Sequence, residues 1–247
     1  MTKLLIFSII TTLIIIILLY LINRFIKEKS KKDLILKLSA LLTVIIHYSS
    51  LWVSYFTTGK AVIDNTMLLP IYPCNICMWM LLIVSFMKNK ESKVYIVLTE
   101  FLALGGTICG AIGLYANEIF LANPTFSDYF VLKGLLSHST MLFGTIMLLT
   151  SGYIKIRTFS MTISSTIGLA TFAIIGAIVN TLFKVFNLGE VNAMFMLDFP
   201  LDIPGANFMT LGILGIIVAF ILSTLYEVIF LPEHERWYVK IKKNKEV

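Results

Sequence analysis

Charged residues are scarce in this sequence of 247 residues. Asp, Glu, Lys and Arg make up only 14% of it, and 58% of the residues are hydrophobic, whereas a soluble domain averages about 25% charged residues. A water-soluble fold of this length could not bury so much apolar surface, so the composition predicts an integral membrane protein. Cysteine is also scarce, and three cysteines exclude a disulfide framework.

Seven apolar stretches are long enough to cross a bilayer, which takes about 20 residues each. They cover approximately residues 4–22, 34–56, 68–87, 94–115, 129–150, 160–186 and 206–231. The third reaches full length only if it includes Pro70 and Pro73, which fit best in the first turns of a helix, where a missing N–H costs little. We therefore predict an all-α polytopic bundle of seven transmembrane helices in one domain, residues 1–247.

The basic residues are distributed unequally between the connections of these spans. Of the 20, only Lys3, Lys60, Lys133 and Lys184 lie on one side, and the others lie in the alternate connections and the C-terminal tail. The positive-inside rule places the N-terminus outside and the C-terminus in the cytoplasm, in a multi-pass protein of the cell membrane. The net charge of +6 then reflects this rule and contact with anionic lipid head groups, and no nucleic-acid partner is predicted.

The predicted outer connections, residues 57–68, 116–129 and 187–205, are longer than the inner ones and carry most of the acidic and proline residues. Elaborate loops on one face indicate that chemistry or recognition lies toward that face.

Reactive and polar side chains recur at one depth of the predicted spans. Counted at about 1.5 Å per residue from the outer ends, five of them lie roughly 9–14 Å below the outer surface: His47, Cys74, Cys109, His138 and Asn180. Polar groups inside a membrane are costly, so each is a candidate site residue. Each also has a structural alternative, since cysteine fills cores and histidine or asparagine links helices through hydrogen bonds.

Other polar and small residues in the spans favour structural roles. Glu100 is expected to bond a neighbouring helix, and Glu227, near the inner end of the last span, is expected to extend to the interface. Gly106 and Gly110 form a G-x-x-x-G pattern, which predicts close packing of two helices.

The segment LPIYPCNICMW, residues 69–79, carries two cysteines three residues apart. Pro70 and Pro73 place Cys74 in the opening turns of a helix, where free N–H groups and the helix dipole favour a thiolate. Cys77 lies one turn deeper among apolar residues. The two sulfurs are therefore not expected to be equivalent.

Several functions fit this segment. Zinc needs four ligands and only one cysteine pair is present, so neither a metal nor another cofactor is predicted. A thiol oxidoreductase would use Cys74 and Cys77, with Cys109 as a shuttle. A lipid acyltransferase would use Cys74 as nucleophile and His138 as base, with Asn180 or His47 orienting the imidazole. A non-catalytic transporter or receptor also fits seven spans.

Five pieces of the sequence carry a resemblance to a known family: Trp52, LPIYPCN (69–75), EFLALGGT (100–107), GLLSHSTM (134–141) and IVNTLF (178–183). Their order and spacing, over roughly residues 47–195, resemble the bacterial YwaF-like integral membrane proteins, relatives of eukaryotic transmembrane protein 164. The resemblance implies a seven-span α-helical fold. It also implies a cysteine-dependent acyltransferase with membrane phospholipids as partners, Cys74 as nucleophile and His138 as its paired histidine.

Overall fold

The fold comes from a computed structural model that describes residues 3–60, 69–116, 124–197 and 207–245, with side chains up to residue 241. Its α-helices are, in order, α1 (Lys3–Phe25), α2 (Lys29–Thr58), α3 (Pro73–Phe86), α4 (Lys93–Tyr115), α5 (Tyr129–Thr150), α6 (Thr158–Val185), α7 (Phe208–Phe230) and α8 (Trp237–Lys245). Short 3₁₀ turns lie at Ala193–Phe195 and Glu233–Glu235. The described residues form no β-strand, which confirms the predicted all-α fold.

Among the described residues, six helices are long and apolar enough to cross a membrane: α1, α2, α4, α5, α6 and α7. The third predicted span is shorter than expected, because α3 has 14 residues. That length is about 21 Å, against roughly 30 Å for the hydrocarbon core. Helix α3 begins at Pro73 because proline suits the first helical position, and the residue before it, Tyr72, has an extended backbone. Residues 61–68, 117–123 and 198–206, which include about half of the predicted outer loops, lie outside the described residues.

Helix α5 forms the centre of the bundle and packs against α1, α2, α3 and α4. Its inward side chains Leu135, Met147 and Leu148 are fully buried. Helix α6 joins this group through α4, and α7 packs on α6. The outer surface of α7 is apolar, as at Ile213 and Ile217, because lipid takes the place of water as the solvent of a membrane-spanning helix.

Small residues of α4 bring it close to α5. A Cβ added to Gly110 would lie 3.1 Å from the Cα of Leu142, and one added to Gly106 would lie 2.8 Å from the Thr145 methyl group. The close packing predicted from G-x-x-x-G is therefore confirmed. Helix α4 also contains a π-helical segment, Leu102–Gly106, in the middle of the span.

Two buried glutamates connect helices near one end of the bundle. Glu100 on α4 accepts hydrogen bonds from the hydroxyls of Ser160 (2.7 Å) and Ser164 (2.6 Å) on α6, as predicted for a helix-linking role. The expectation that Glu227 extends to the interface is wrong, because this side chain is only 1% exposed. Its two carboxylate oxygens accept the backbone N–H groups of Thr158 (2.6 Å) and Trp237 (2.8 Å). These N–H groups open α6 and α8, where backbone donors have no partner within the helix.

The connections rich in basic residues meet on one face of the bundle. Polar contacts join the α1–α2 connection to the residues after α3 and α5, and the α5–α6 connection to the tail: Lys32–Asn23, Ser151–Asn23, Lys90–Asp33, Tyr153–Asp33 and Arg157–Glu235. The hydrogen bond from Arg157 holds the pKa of the Glu235 carboxyl below its ordinary value. The ends of α1, α3 and α5 and the starts of α2 and α6 therefore lie on this face.

Candidate functional site

A partly open cavity of about 160 Å³ lies between α2, the start of α3 and α5. Three helices each contribute one sequence-predicted site residue to its wall: His47 from α2, Cys74 from α3 and His138 from α5. The other lining residues are Thr43, Tyr72, Asn75, Met78, Lys133, Gly134, Ser137 and Met141. The cavity thus combines a thiol, two imidazoles and a small number of polar groups within apolar surroundings.

Cys74 is the second residue of α3, directly after Pro73. The turn before it is fixed by Asn75, whose side-chain oxygen accepts the backbone N–H of Tyr72 at 3.0 Å. The Cys74 thiol is free and half-buried, so it belongs to the wall of the cavity and not to the closed core. The prediction that Cys74 lies in the opening turn of a helix is confirmed, with Pro73 as the first helical residue. The placement of Pro70 in the same helix is wrong, because Pro70 lies three residues before the helix begins.

The His138 imidazole is held by its own helix and by α4. Its Nδ1 lies 2.8 Å from the Gly134 carbonyl oxygen. A carbonyl oxygen only accepts, so Nδ1 carries the proton and Nε2 of the neutral ring is a proton acceptor. The ring lies against Gly113, where a Cβ would stand 2.2 Å from Nε2 and 2.0 Å from Cδ2. Any side chain at position 113 would occupy the space of the ring.

His47 is oriented by Asn75. Because the Asn75 side-chain oxygen accepts the Tyr72 N–H, its Nδ2 group is the one that faces His47 Nε2, at 3.3 Å. The amide donates to Nε2, so the remaining ring proton of the neutral imidazole sits on Nδ1. Asn75 is only 5% exposed. This contact ties α2 to the turn that presents Cys74.

The other two cysteines lie next to each other. Cys77 is fully buried, and its thiol faces that of Cys109 on α4. Both are free thiols, and neither lines the cavity. The two sulfurs of the C-x-x-C segment therefore have different surroundings, as predicted.

The structure does not bring Asn180 to His138. Its side-chain oxygen accepts the Ala193 backbone N–H at 2.8 Å, and its Nδ2 donates to the Ala193 carbonyl oxygen at 3.4 Å. After α6 the chain folds back over the end of that helix, where its backbone polar groups need partners. Asn180 supplies these hydrogen-bond partners. It lies in the wall of a separate surface depression, which Lys184 and Glu190 also line. The Gly134 carbonyl, and not Asn180, orients the His138 ring.

Three residues that line the cavity or contact His138 were not predicted as site residues: Asn75, Gly113 and Lys133. Each has a feature in the sequence that could have pointed to its role. Asn75 falls in the first turn of a helix, where a short polar side chain bonds free backbone groups. Gly113 lies within a helix at a cost of about 1 kcal/mol relative to alanine, which requires a packing reason. Lys133 is a cation inside an apolar stretch.

Among the described residues, no three His, Cys, Asp or Glu side chains lie close enough together to bind a metal ion.

The sequence model of the TMEM164 family matches residues 1–231. No curated protein and no solved structure matches the chain. The family match agrees with the resemblance inferred from the five sequence pieces and with the apolar helices of a multi-pass membrane protein. Because it spans nearly the entire sequence, the chain belongs to the TMEM164 family.

Proposed function

We propose that this protein is a membrane acyltransferase with Cys74 as its nucleophile and membrane phospholipids as its acyl donors. The observation that carries the proposal is the cavity shared by a half-buried thiol, Cys74, and an imidazole with a proton-accepting Nε2, His138. A thiol becomes nucleophilic when it loses its proton, and a neighbouring imidazole is the usual base.

The reaction consists of two half-reactions. In the first, His138 Nε2 takes the Cys74 proton and the sulfur attacks the ester carbonyl carbon of a phospholipid. The C–S bond forms, the C–O bond breaks, and the imidazolium returns the proton to the alkoxide of the departing lysophospholipid. In the second, the hydroxyl of another lipid attacks the thioester. Its proton passes through His138 to the departing thiolate, so the acyl chain moves without any redox step.

The size of the cavity determines how a lipid enters. Pockets that enclose a drug-sized molecule have about 300–1,000 Å³, so about 160 Å³ admits an ester group and its neighbouring atoms but not a whole phospholipid. The acyl chains then stay in the bilayer and only the reacting ester enters sideways. The contact between His47 and Asn75 fixes the start of α3. It thereby holds Cys74 in the cavity wall, where the entering ester would meet it.

We also propose seven crossings, with the N-terminus outside and the C-terminus in the cytoplasm of the cell membrane. Helix α3, which is roughly 21 Å long, crosses together with the non-helical residues 69–72 that precede it. The Ile71 carbonyl oxygen accepts the Met194 N–H at 2.8 Å. This supports a crossing, since non-helical backbone at membrane depth needs partners inside the protein. The common face of the basic connections supports the same path.

Labelling of introduced cysteines tests the crossing of α3. Lys60→Cys and Lys88→Cys flank only α3 among the described helices, and both positions are exposed. A membrane-impermeant maleimide should label Lys60→Cys in intact cells and Lys88→Cys only after permeabilisation. The wild-type chain, with its three native cysteines, supplies the background. Equal labelling of both variants in intact cells contradicts seven crossings.

Covalent labelling tests the proposed chemistry. Purified protein in vesicles receives a phospholipid with an alkyne-tagged ester chain, and no acceptor lipid is added. We expect a hydroxylamine-labile tag on the peptide that contains Cys74, because the first half-reaction then stops at the thioester. Cys74→Ala should abolish the tag.

Cys77→Ser is the matched control for this experiment. Its sulfur is fully buried against Cys109 and does not line the cavity, so the tag on Cys74 should persist. A wild-type protein that never carries the tag contradicts an acyl-enzyme. Equal damage by Cys74→Ala and Cys77→Ser indicates instead the thiol oxidoreductase, which needs both sulfurs.

A further inference from the structure

Lys133 stands at one end of the cavity that holds Cys74 and His138. It lines the same cavity and precedes His138 by five residues on α5, which corresponds to about 7.5 Å along the helix. With the outward-facing start of α5 proposed above, Lys133 lies nearer the outer surface than the reacting groups. The lipid head-group layer has about this thickness, roughly 5–8 Å on each side of the hydrocarbon core.

The Lys133 side chain extends toward the start of α5. Its Nζ lies 5.4 Å from the centre of the Phe130 ring, one turn nearer that end of the helix. Helical side chains tilt toward the helix N-terminus, and lysine carries its charge outward in this way at a membrane interface. The ammonium group therefore lies on the side of the imidazole that faces the start of α5.

The cavity lining changes character along its depth. Lys133 and Tyr72 come first, and Cys74 and His138 follow. Thr43, Met78 and Met141 also line the cavity, and in the proposed orientation each lies three or four residues closer to the inner end of its helix. From outside inward, this register places a cation first, then a nucleophile with its base, and then a mostly apolar part of the lining. A phospholipid presents the complementary order of phosphate, ester and acyl chain.

From this register we infer that Lys133 is the phosphate-binding residue of the site and selects phosphodiester lipids over uncharged esters. The inference rests on the proposed acyl transfer. Lysine binds phosphate as a point charge, and a charge-assisted hydrogen bond is about twice as strong as a neutral one. A donor whose phosphate contacts Lys133 presents its ester one head-group depth below, at Cys74.

The test compares two acyl donors with the same tagged chain, a phospholipid and a diacylglycerol. Wild-type protein should acylate Cys74 faster from the phospholipid. Lys133→Met, which keeps the length and loses the charge, should lower the phospholipid-to-diacylglycerol rate ratio about tenfold, the size of one hydrogen bond to a charged group. Lys133→Arg should restore most of it. Lys184→Met, outside the cavity, should leave the ratio unchanged.

The outcomes separate the two proposals. If neither donor tags Cys74 of the wild-type protein, the acyl transfer itself is refuted. If the wild-type protein is tagged but Lys133→Met slows both donors equally, Lys133 has only a structural role and the inference is overturned. Inorganic phosphate serves as competitor in a third arm. Inhibition at millimolar concentration that depends on Lys133 would assign the subsite to free phosphate and also overturn the lipid assignment.

Discussion

Gly113→Ala should slow acylation of Cys74 about a hundredfold or more. The added methyl group would lie 2.0–2.4 Å from three atoms of the His138 ring, so the imidazole must leave its position and lose its bond to Gly134. A positioned general base contributes about 10²–10⁴ to a rate, and a displacement of about 1 Å suffices to lose much of it. The measurement is the initial rate of the hydroxylamine-labile tag in vesicles.

Gly215→Ala is the matched control, since its nearest side-chain atom is the Leu169 Cδ1 at an ordinary 3.8 Å. Both changes favour the helix backbone by about 1 kcal/mol, so only the contact with His138 separates them. A second comparison uses the His138→Ala background. Without the imidazole ring, the methyl group at position 113 has room. Any loss of folding stability that the clash with His138 causes in Gly113→Ala should therefore disappear in the double variant. A wild-type acylation rate in Gly113→Ala would contradict the role of the ring position.

Glu227→Leu should destabilise the protein by about 3 kcal/mol. The substitution removes the partners of the Thr158 and Trp237 backbone N–H groups, and Thr158 is completely buried, so water cannot replace the lost contact. Hydrogen bonds to a charged group contribute about 1.5–3 kcal/mol each, and an orphaned buried donor adds its own cost. The loss would appear as a lower thermal midpoint in detergent micelles.

Proteolysis gives an independent measurement of the same change, because Glu227 also holds the start of α8. A protease added from the tail side should cleave within α8 of Glu227→Leu faster than in the wild-type protein. Glu233→Leu is the control, since Glu233 is exposed and neighbours the same helix. Equal thermal midpoints for the two variants would show that Glu227 has no capping role.

Three residues of the candidate site could be predicted because depth in a membrane follows from position in a span. A helix rises about 1.5 Å per residue, so counting from the span ends gave His47, Cys74 and His138 a common depth, and all three line one cavity. The same count failed for Asn180, which bonds Ala193 elsewhere. Depth fixes one coordinate of a residue, and neither its helix neighbours nor its direction around the helix axis follows from it.

The sequence alone determined the solvent and the element type. Too few charges for a soluble surface and apolar runs of about 20 residues leave only helices in lipid, because every backbone group must find its partner within the segment. Pro73 likewise marks where α3 begins, because proline suits the first helical position. These features follow from short-range chemistry, so the order of residues suffices to predict them.

Only the tertiary structure shows which neighbouring residue each buried polar group contacts. Only packing shows that Asn75 orients His47, that Gly113 makes room for His138, and that Glu227 caps two helices instead of reaching the interface. Helix contacts join residues far apart in the chain, and several faces of each helix are equally apolar toward lipid. The hydrophobic pattern therefore does not specify which face of a helix turns toward its neighbours. Close packing and the pairing of buried polar groups select one arrangement of the helices.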